Sequence, residues 1–285
     1  MNAAGPRTIG DCVGFARRRL PRLEADVLTA RALAVPRSDL YAFQERSVNP
    51  RFCARVAEWV ERRAAGEPVA YILGEREFWG LPLRVTPDAL IPRSETETLV
   101  DAALARTGPK ARVADLGTGC GAVALAVAYE RPGARILATD IDLACLELCR
   151  RNALRLQLAA TQRGAGVHVV AADLFDGIGG EFDVIVSNPP YVATGDAHLQ
   201  RGDLRFEPRL ALDGGTCGLR VIERLIREAP GHLAECGWLC IEHGSTQHQA
   251  VRGLFVAAGF DAVECLPDLE QRPRATVGQK RGAPP

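Results

Sequence analysis

The first quarter of the chain has apolar residues at helical spacing. In "RLEADVLTARALAV" (22–35) they recur every three or four positions, which is typical of an amphipathic helix. A second helix is predicted from "NPRFCARVAEWVERRAAG" (49–66), because Asn49 is a good N-cap, Pro50 suits the first turn and Gly66 suits the end. Residues 1–74 are therefore predicted to form a small helical domain.

The pattern changes in "EFWGLPLRVTPDALIPR" (77–93). Short apolar runs are interrupted there by one glycine and three prolines, which end regular structure and favour turns. We expect a hairpin or an extended connector over residues 75–105, with the domain boundary inside it.

From Arg112 onward, continuous apolar runs alternate with amphipathic helical segments. Continuous apolar runs are typical of strands that are buried on both faces, as happens when helices cover a parallel sheet. The strands are predicted in "RVADLG", "ARILATDID", "VHVVAADLF", "FDVIVSNPPYV", "GWLCIEHG", "DAVECL" and "RATVG". The fold class is therefore α/β, with a doubly wound, Rossmann-like domain over residues 106–285 and the helical domain in front of it.

Composition narrows the class of protein further. The 285 residues are 47% hydrophobic and 25% charged with a formal net charge of zero, which is ordinary for a globular protein and argues against one that coats nucleic acid or anionic membrane. No apolar run approaches the roughly 20 residues of a membrane span, so we expect a cytoplasmic protein without a membrane partner. The nine cysteines include no CxxC pair, which favours reduced thiols and predicts no metal site.

A glycine-rich loop follows the first predicted strand of the sheet, in "ADLGTGCGA" (114–122). Glycines at 117, 119 and 121 permit a tight turn and close approach of a ligand to the backbone. Read alone, this loop and Asp140 about 20 residues later fit either NAD or S-adenosylmethionine. A bare strand-to-helix turn without a ligand is the third interpretation.

Three acidic residues at successive strand ends favour S-adenosylmethionine over NAD. Asp115 can attract an ammonium group, whereas it would repel a pyrophosphate. Asp140 can accept hydrogen bonds from ribose hydroxyls, and Asp173 could reach an adenine amine. Three carboxylates at successive strand ends favour a cationic ligand that carries no phosphate groups.

The stretch "VIVSNPPYV" (184–192) ends a buried strand with an amide, two prolines and a tyrosine. The prolines have no N–H groups, so Asn188 and the carbonyl of Pro189 can accept hydrogen bonds from a planar NH₂ group. Such acceptors orient the nitrogen and stabilise positive charge that grows on it, as transfer of a methyl group requires. Pro190 stiffens the turn, and Tyr191 could stack on the acceptor group. A purely structural turn is the alternative.

These motifs together resemble one family over essentially the whole chain. The ordered segments "EFWGLPLRVTPDALIPRSETETLV", "VADLGTGCGAVALA", "ATDID", "VIVSNPPYV", "RFEPRLALDGG", "GLRVIERLI" and "EHG" are similar to those of the release factor glutamine methyltransferases, the PrmC/HemK family. The resemblance implies methyl transfer from S-adenosylmethionine to the side-chain amide nitrogen of the glutamine in the GGQ motif of class I release factors. It also implies that the helical domain recognises this protein substrate.

The resemblance implies a role for each matching residue. Asn188, Pro189, Pro190 and Tyr191 would hold the glutamine, and Leu174 beside Asp173 would line the adenine region. The cofactor-binding residues are then predicted to be Asp115, Gly117, Thr118, Gly119, Cys120, Gly121, Asp140, Asp173, Leu174 and Asn188. The connector from Phe78 to Glu97 would border the same cleft.

Three other functions remain open from the sequence. A DNA or RNA methyltransferase acting on adenine N6 or guanine N2 could use the same acceptors on a flipped base, although the neutral charge and the absence of a basic tract argue against a stable nucleic-acid partner. An NAD-dependent oxidoreductase could use the glycine loop. A noncatalytic binding module could retain both motifs without turnover.

Overall fold

The computed structural model describes residues 7–160, 164–200 and 202–282. The chain divides into two compact units: Met1–Glu75 with Gly202–Phe206, and Arg76–Arg201 with Glu207–Pro285. The predicted domain limits remain predictions, and their outer ends at residues 1–6 and 283–285 lie outside the described residues. Within the described residues, no helix is long and apolar enough to cross a membrane.

The first unit is helical, in agreement with the periodicity of its sequence. Its helices are α1 (Ile9–Arg17), α2 (Arg22–Leu33), α3 (Asp39–Ala42), α4 (Pro50–Ala64) and α5 (Val69–Leu73). Asn49 caps α4 as predicted, because its side chain accepts a hydrogen bond from the Arg51 N–H at 3.0 Å. A core of buried residues such as Ile9, Leu28 and Val60 holds these helices together.

The connector begins with the predicted hairpin. Strands β1 (Glu75–Phe78) and β2 (Leu81–Arg84) form a two-stranded sheet. Trp79 and Gly80 between them both have positive φ, which matches the right-handed twist of a two-residue hairpin. The connector then continues through Asp88 and Pro92 to a short 3₁₀ turn, Ser94–Thr96, and to helix α6 (Glu97–Leu104).

Within the described part of the chain, seven strands form the central sheet of the second unit. They are β3 (Arg112–Leu116), β4 (Arg135–Asp140), β5 (Gly166–Ala171), β6 (Phe182–Ser187), β7 (Leu233–Glu242), β8 (Phe260–Pro267) and β9 (Pro273–Lys280). Their order is β5-β4-β3-β6-β7-β9-β8, in which β3 to β7 are parallel and β9 runs antiparallel to both of its neighbours. The connecting helices are α7 (Ala122–Glu130), α8 (Leu143–Arg155), α9 (Arg220–Glu228) and α10 (His248–Ala257).

This topology confirms the doubly wound α/β class. The chain runs outward from β3 through β4 to β5 and then returns to place β6 on the other side of β3. The strand order therefore reverses between β3 and β6, and in such sheets ligands bind in the crevice at the carboxyl ends of the strands. The glycine loop follows β3 and Asn188 follows β6, so both open at this reversal.

Candidate active site

Hydrogen bonds to the neighbouring strand β4 fix the conformation of the glycine loop. The N–H groups of Gly117 and Thr118 donate to the carbonyl oxygen of Thr139 at 2.9 and 2.8 Å. Gly117 and Gly119 have φ of +73° and +56°, and a Cβ at either position would meet no atom within 4 Å. Their backbone therefore faces open space that a ligand can approach closely.

Gly121 serves a different purpose in the same loop. Its φ is +90°, and a Cβ built on it would lie 2.7 Å from the Cys149 Sγ and 3.0 Å from the Leu125 Cδ1. A glycine is required here because α7 begins against α8, and Gly121 does not line the cavity described below.

Two carboxylates lie beneath the glycine loop. Asp115 is buried, and its Oδ2 accepts hydrogen bonds from the Thr118 hydroxyl at 2.7 Å and the Ala124 N–H at 3.0 Å. Burial raises the pKa of Asp115 to about 6, and the nearby charge of Asp140 adds to this. Burial also raises the pKa of Asp140, whose two oxygens accept from the N–H groups of Gly119 (2.9 Å) and Asp142 (3.0 Å). A bound cation would relieve this repulsion.

Asp173 has a partner that the sequence did not reveal. Its carboxylate pairs with Arg224 of α9 at 2.8 Å, and Arg224 also bonds to Asp176 at 3.0 Å. The predicted contact with an adenine amine would therefore compete with this ion pair. Leu174, the next residue, lines the cavity and has a φ of +54°.

Asn188 is oriented by a residue of the connector. Its Nδ2 donates to the Thr96 Oγ1 at 3.1 Å, so the amide NH₂ is engaged and its oxygen remains available as an acceptor. Pro190 lines the cavity, whereas Pro189 is buried and is not part of the lining. Tyr191 also lies outside the lining, and its hydroxyl donates to the Glu242 Oε1 at 3.2 Å. Stacking of its ring on the acceptor group stays a prediction.

These features surround one cavity of about 300 Å³, which reaches the size of small-molecule sites. The predicted site residues that line it are Asp115, Gly117, Thr118, Gly119, Cys120, Asp140, Asp173, Leu174, Asn188 and Pro190. The connector contributes Asp88, Leu90, Pro92 and Thr96, in line with the expectation that it borders the cleft. Further lining residues come from the 208–211 segment (Pro208, Leu210 and Ala211) and from α9 (Arg220, Val221 and Arg224).

An ion pair with a buried carboxylate joins two segments that line this cavity. Glu207 has a fully buried side chain, and both of its carboxylate oxygens lie 2.6 Å from the Arg93 Nη2. Arg93 follows the lining residue Pro92, and Glu207 precedes the lining residue Pro208. The pair therefore fixes the connector against the 208–211 segment. Its only signal in the sequence was that "IPR" and "FEP" both fall within the segments of family resemblance.

The site suits the cofactor predicted from the sequence. Exposed glycine backbone, carboxylates with raised pKa and an apolar surface from Leu90 and Leu174 fit a cationic nucleoside without phosphates. The methyltransferase small domain family matches residues 94–203, and the PrmC N-terminal domain family matches residues 15–74. The fold and the site thus define an S-adenosylmethionine-dependent methyltransferase.

Curated relatives narrow this class to one family. A release factor glutamine methyltransferase from Neisseria gonorrhoeae is 46% identical over 92% of this chain and 94% of its own length. The protein of the same description from Escherichia coli is 41% identical over 91% of this chain and 92% of its own length. The chain belongs to the release factor glutamine methyltransferase family.

Solved structures support the fold alone. The hMettl16 catalytic domain superposes with a TM-score of 0.56 at 15% identity, over 84% of this chain and 87% of that one. A methyltransferase from Pyrococcus furiosus gives 0.51 at 20% identity, over 71% of this chain and 90% of that one.

A substitution at Gly121 tests the packing of the glycine loop. We expect Gly121→Ala to lower the free energy of unfolding more than Gly119→Ala, because both alanines adopt positive φ but only the first meets another side chain. Positive φ costs an alanine about 1–2 kcal/mol, and overpacking adds about 1–3 kcal/mol. Urea denaturation of both variants measures the difference, and equal losses would mean that α7 and α8 move apart without cost.

Proposed function

We propose that this protein transfers the methyl group of S-adenosylmethionine to the side-chain amide nitrogen of the glutamine in the GGQ motif of class I release factors. The observation that carries the proposal is the orientation of Asn188, whose amide nitrogen is held by Thr96 while its oxygen is free to accept from a substrate NH₂. The description of the relatives supports the same substrate class. The descriptions of these relatives give no such support for methylation of an exocyclic amine of DNA or RNA.

Residues of the cavity are proposed to hold the cofactor as follows. The backbone of Gly117 and Gly119 would lie against it, Asp115 would attract its ammonium group and Asp140 would accept from its ribose hydroxyls. Leu174 would pack against the adenine. When bound, S-adenosylmethionine supplies a methyl group activated by the positive charge of its sulfonium.

The chain's own contribution to the chemistry is to make an amide nitrogen nucleophilic. The lone pair of an amide is delocalised into its carbonyl, so the nitrogen reacts poorly while it stays planar. The Asn188 Oδ1 would accept one of its N–H groups, orient the nitrogen and stabilise the positive charge that develops on it. The second acceptor expected from the sequence is the Pro189 carbonyl, although Pro189 itself is buried and does not line the cavity. Holding it in line with the methyl group supplies further acceleration through proximity.

We propose that the helical unit binds the body of the release factor, that no stable nucleic-acid complex forms, and that the protein acts in the cytoplasm, where release factors work.

Mass spectrometry of an unmethylated class I release factor tests the reaction. After incubation with the protein and S-adenosylmethionine, we expect a one-methyl increase confined to the GGQ peptide. A release factor with Ala in place of the motif's glutamine is the matched control and should gain nothing. Methylation of the control at the same rate, or of nucleic acid in place of protein, would refute the proposal.

A further inference from the structure

A buried polar network adjoins Asn188 and includes Thr96, which also lines the cavity. Its centre is Glu242 at the end of β7, which is 1% exposed and accepts a hydrogen bond from the Tyr191 hydroxyl at 3.2 Å. The Thr96 hydroxyl lies close enough to the Glu242 carboxylate to stabilise its ionised form. The same hydroxyl oxygen accepts from the Asn188 Nδ2 at 3.1 Å, so Thr96 stands between Glu242 and Asn188.

The direction of these hydrogen bonds follows from the chemistry of each group. An ionised carboxylate can only accept, so the Tyr191 hydroxyl donates to Glu242, and the nearby Thr96 hydroxyl is placed to do the same. The Thr96 oxygen then offers a lone pair on its other side, and only the NH₂ end of the Asn188 amide can bond to it. The Asn188 carbonyl oxygen is consequently the end that remains for the substrate.

Glu242 is an unusual residue for a merely structural position. Among the described residues its Oε2 has no hydrogen-bond partner, and no cation forms an ion pair with it. The nearby Arg274 is instead paired with Asp268 at 3.3 Å. A buried carboxylate without a paired cation destabilises a fold, so its presence calls for a functional explanation.

We propose that Glu242 and Thr96 are positioning residues that fix the hydrogen-bonding direction of the Asn188 amide, so that its oxygen and not its nitrogen faces the substrate. This inference rests on the proposed function, because an acceptor at Asn188 matters only if the substrate is an NH₂ group. A protonated Glu242 could donate to Thr96, which would then be free to donate to the Asn188 oxygen. The amide would turn over and present an NH₂ group to the substrate NH₂.

The surroundings of Glu242 set the pH at which this reversal occurs. Burial raises its pKa to about 7, while Thr96, Arg274 and Tyr191 hold it lower than burial alone would, and Glu95 acts in the opposite direction. The correct orientation therefore predominates above about pH 7 and is lost as the pH falls through that value. We expect kcat to rise with pH across this range.

Substitutions of Thr96 by residues of similar shape test whether its hydroxyl oxygen is needed to accept the hydrogen bond from the Asn188 amide. Thr96→Val keeps the shape but leaves the Asn188 nitrogen without a partner, and kcat should fall at least about tenfold. Thr96→Ser keeps the hydroxyl and should recover most of the rate. Thr29→Val is the matched control, because Thr29 is also fully buried and its hydroxyl has no partner within the described residues. Equal rates for Thr96→Val and the wild type would overturn the proposal.

Glu242→Gln tests the direction of the hydrogen bond between residue 242 and Thr96, because a glutamine side chain can donate to Thr96 at every pH. We expect kcat to fall at least about tenfold at pH 8 and to lose its dependence on pH near 7, with unchanged affinity for S-adenosylmethionine.

A raised pKa of Glu242 means that folding favours the protonated carboxyl, so wild-type stability falls as pH rises from about 4.5 through about 7. The Glu242→Gln variant has no carboxyl group to ionise at this position, so it does not lose this stability. Its melting temperature at pH 8 should equal or exceed that of the wild type. A lower melting temperature together with lost activity would indicate a structural role and overturn the proposal.

A measurement without substrate separates this inference from the proposed function. The side-chain NH₂ signal of Asn188 in ¹⁵N NMR spectra can be assigned by its loss in Asn188→Ala. We expect slow hydrogen exchange of this group at pH 8 in the wild type and faster exchange in Thr96→Val and Glu242→Gln. Unchanged exchange would refute the inference even if the release factor is methylated. Slow exchange without methylation of any release factor would instead refute the proposed function.

Discussion

Asn188→Ala is expected to reduce kcat for methyl transfer by about 100- to 1,000-fold, the usual effect of removing one group that stabilises a developing charge. The variant loses the oxygen that is proposed to accept from the substrate amide, while the glycine loop and the carboxylates beneath it stay in place. Affinity for S-adenosylmethionine should therefore change little. Single-turnover kinetics with a release factor, combined with calorimetry for the cofactor, measures both quantities.

The control for this variant is Asn49→Ala. Asn49 also uses its side chain in a hydrogen bond, to the N–H of Arg51 at the start of α4, but it belongs to the helical unit. Loss of that cap should cost about 1 kcal/mol of stability and leave kcat unchanged. If Asn188→Ala retained near-normal turnover, the acceptor role of Asn188 would have to be abandoned.

Asp140→Ala is expected to weaken binding of S-adenosylmethionine by about tenfold to 100-fold. Hydrogen bonds to a charged group contribute about 1.5–3 kcal/mol, which corresponds to this range of affinity. The same carboxylate also holds the Gly119 and Asp142 N–H groups, so its loss loosens the loop that faces the ligand. Calorimetric titration of the variant with S-adenosylmethionine measures the effect.

Asp183→Ala provides the matched comparison for Asp140. Asp183 lies in β6 and likewise accepts a backbone N–H, from Arg112 at 2.7 Å, but it does not line the cavity. We expect it to alter stability and not affinity. Equal dissociation constants for Asp140→Ala and the wild type would contradict the proposed ribose contact.

The elements of the fold were largely predictable because their signals are local. Apolar runs bounded by glycine, proline and charged residues placed β3 to β6, and the Asn49–Pro50 pair placed the start of α4. The hairpin of the connector was predicted from its glycine and prolines. A helix within residues 75–105 was not predicted, and α6 (Glu97–Leu104) is an additional element that packs near β7 and β9.

The candidate site was predictable only in part. Residues next to a strand end, such as Asp115, Asp140 and Asn188, could be assigned because parallel strands bring their carboxyl ends to one edge. The partner of Asp173 could not, since Arg224 lies 51 residues later on α9. The hydrogen bond of the Tyr191 hydroxyl was also not predicted, because its acceptor, Glu242, belongs to another strand.

The sequence by itself determined the fold class, the glycine loop, the acidic strand ends and the acceptors of the NPPY segment. Each is encoded within a few residues by hydrophobic periodicity, turn chemistry or the missing N–H of proline. Only the tertiary structure decided which way those acceptors face. Thr96 and Asn188 are 92 residues apart, and Arg93 and Glu207 are 114 apart. Pairs so distant are set by strand order and packing, on which local patterns carry no information.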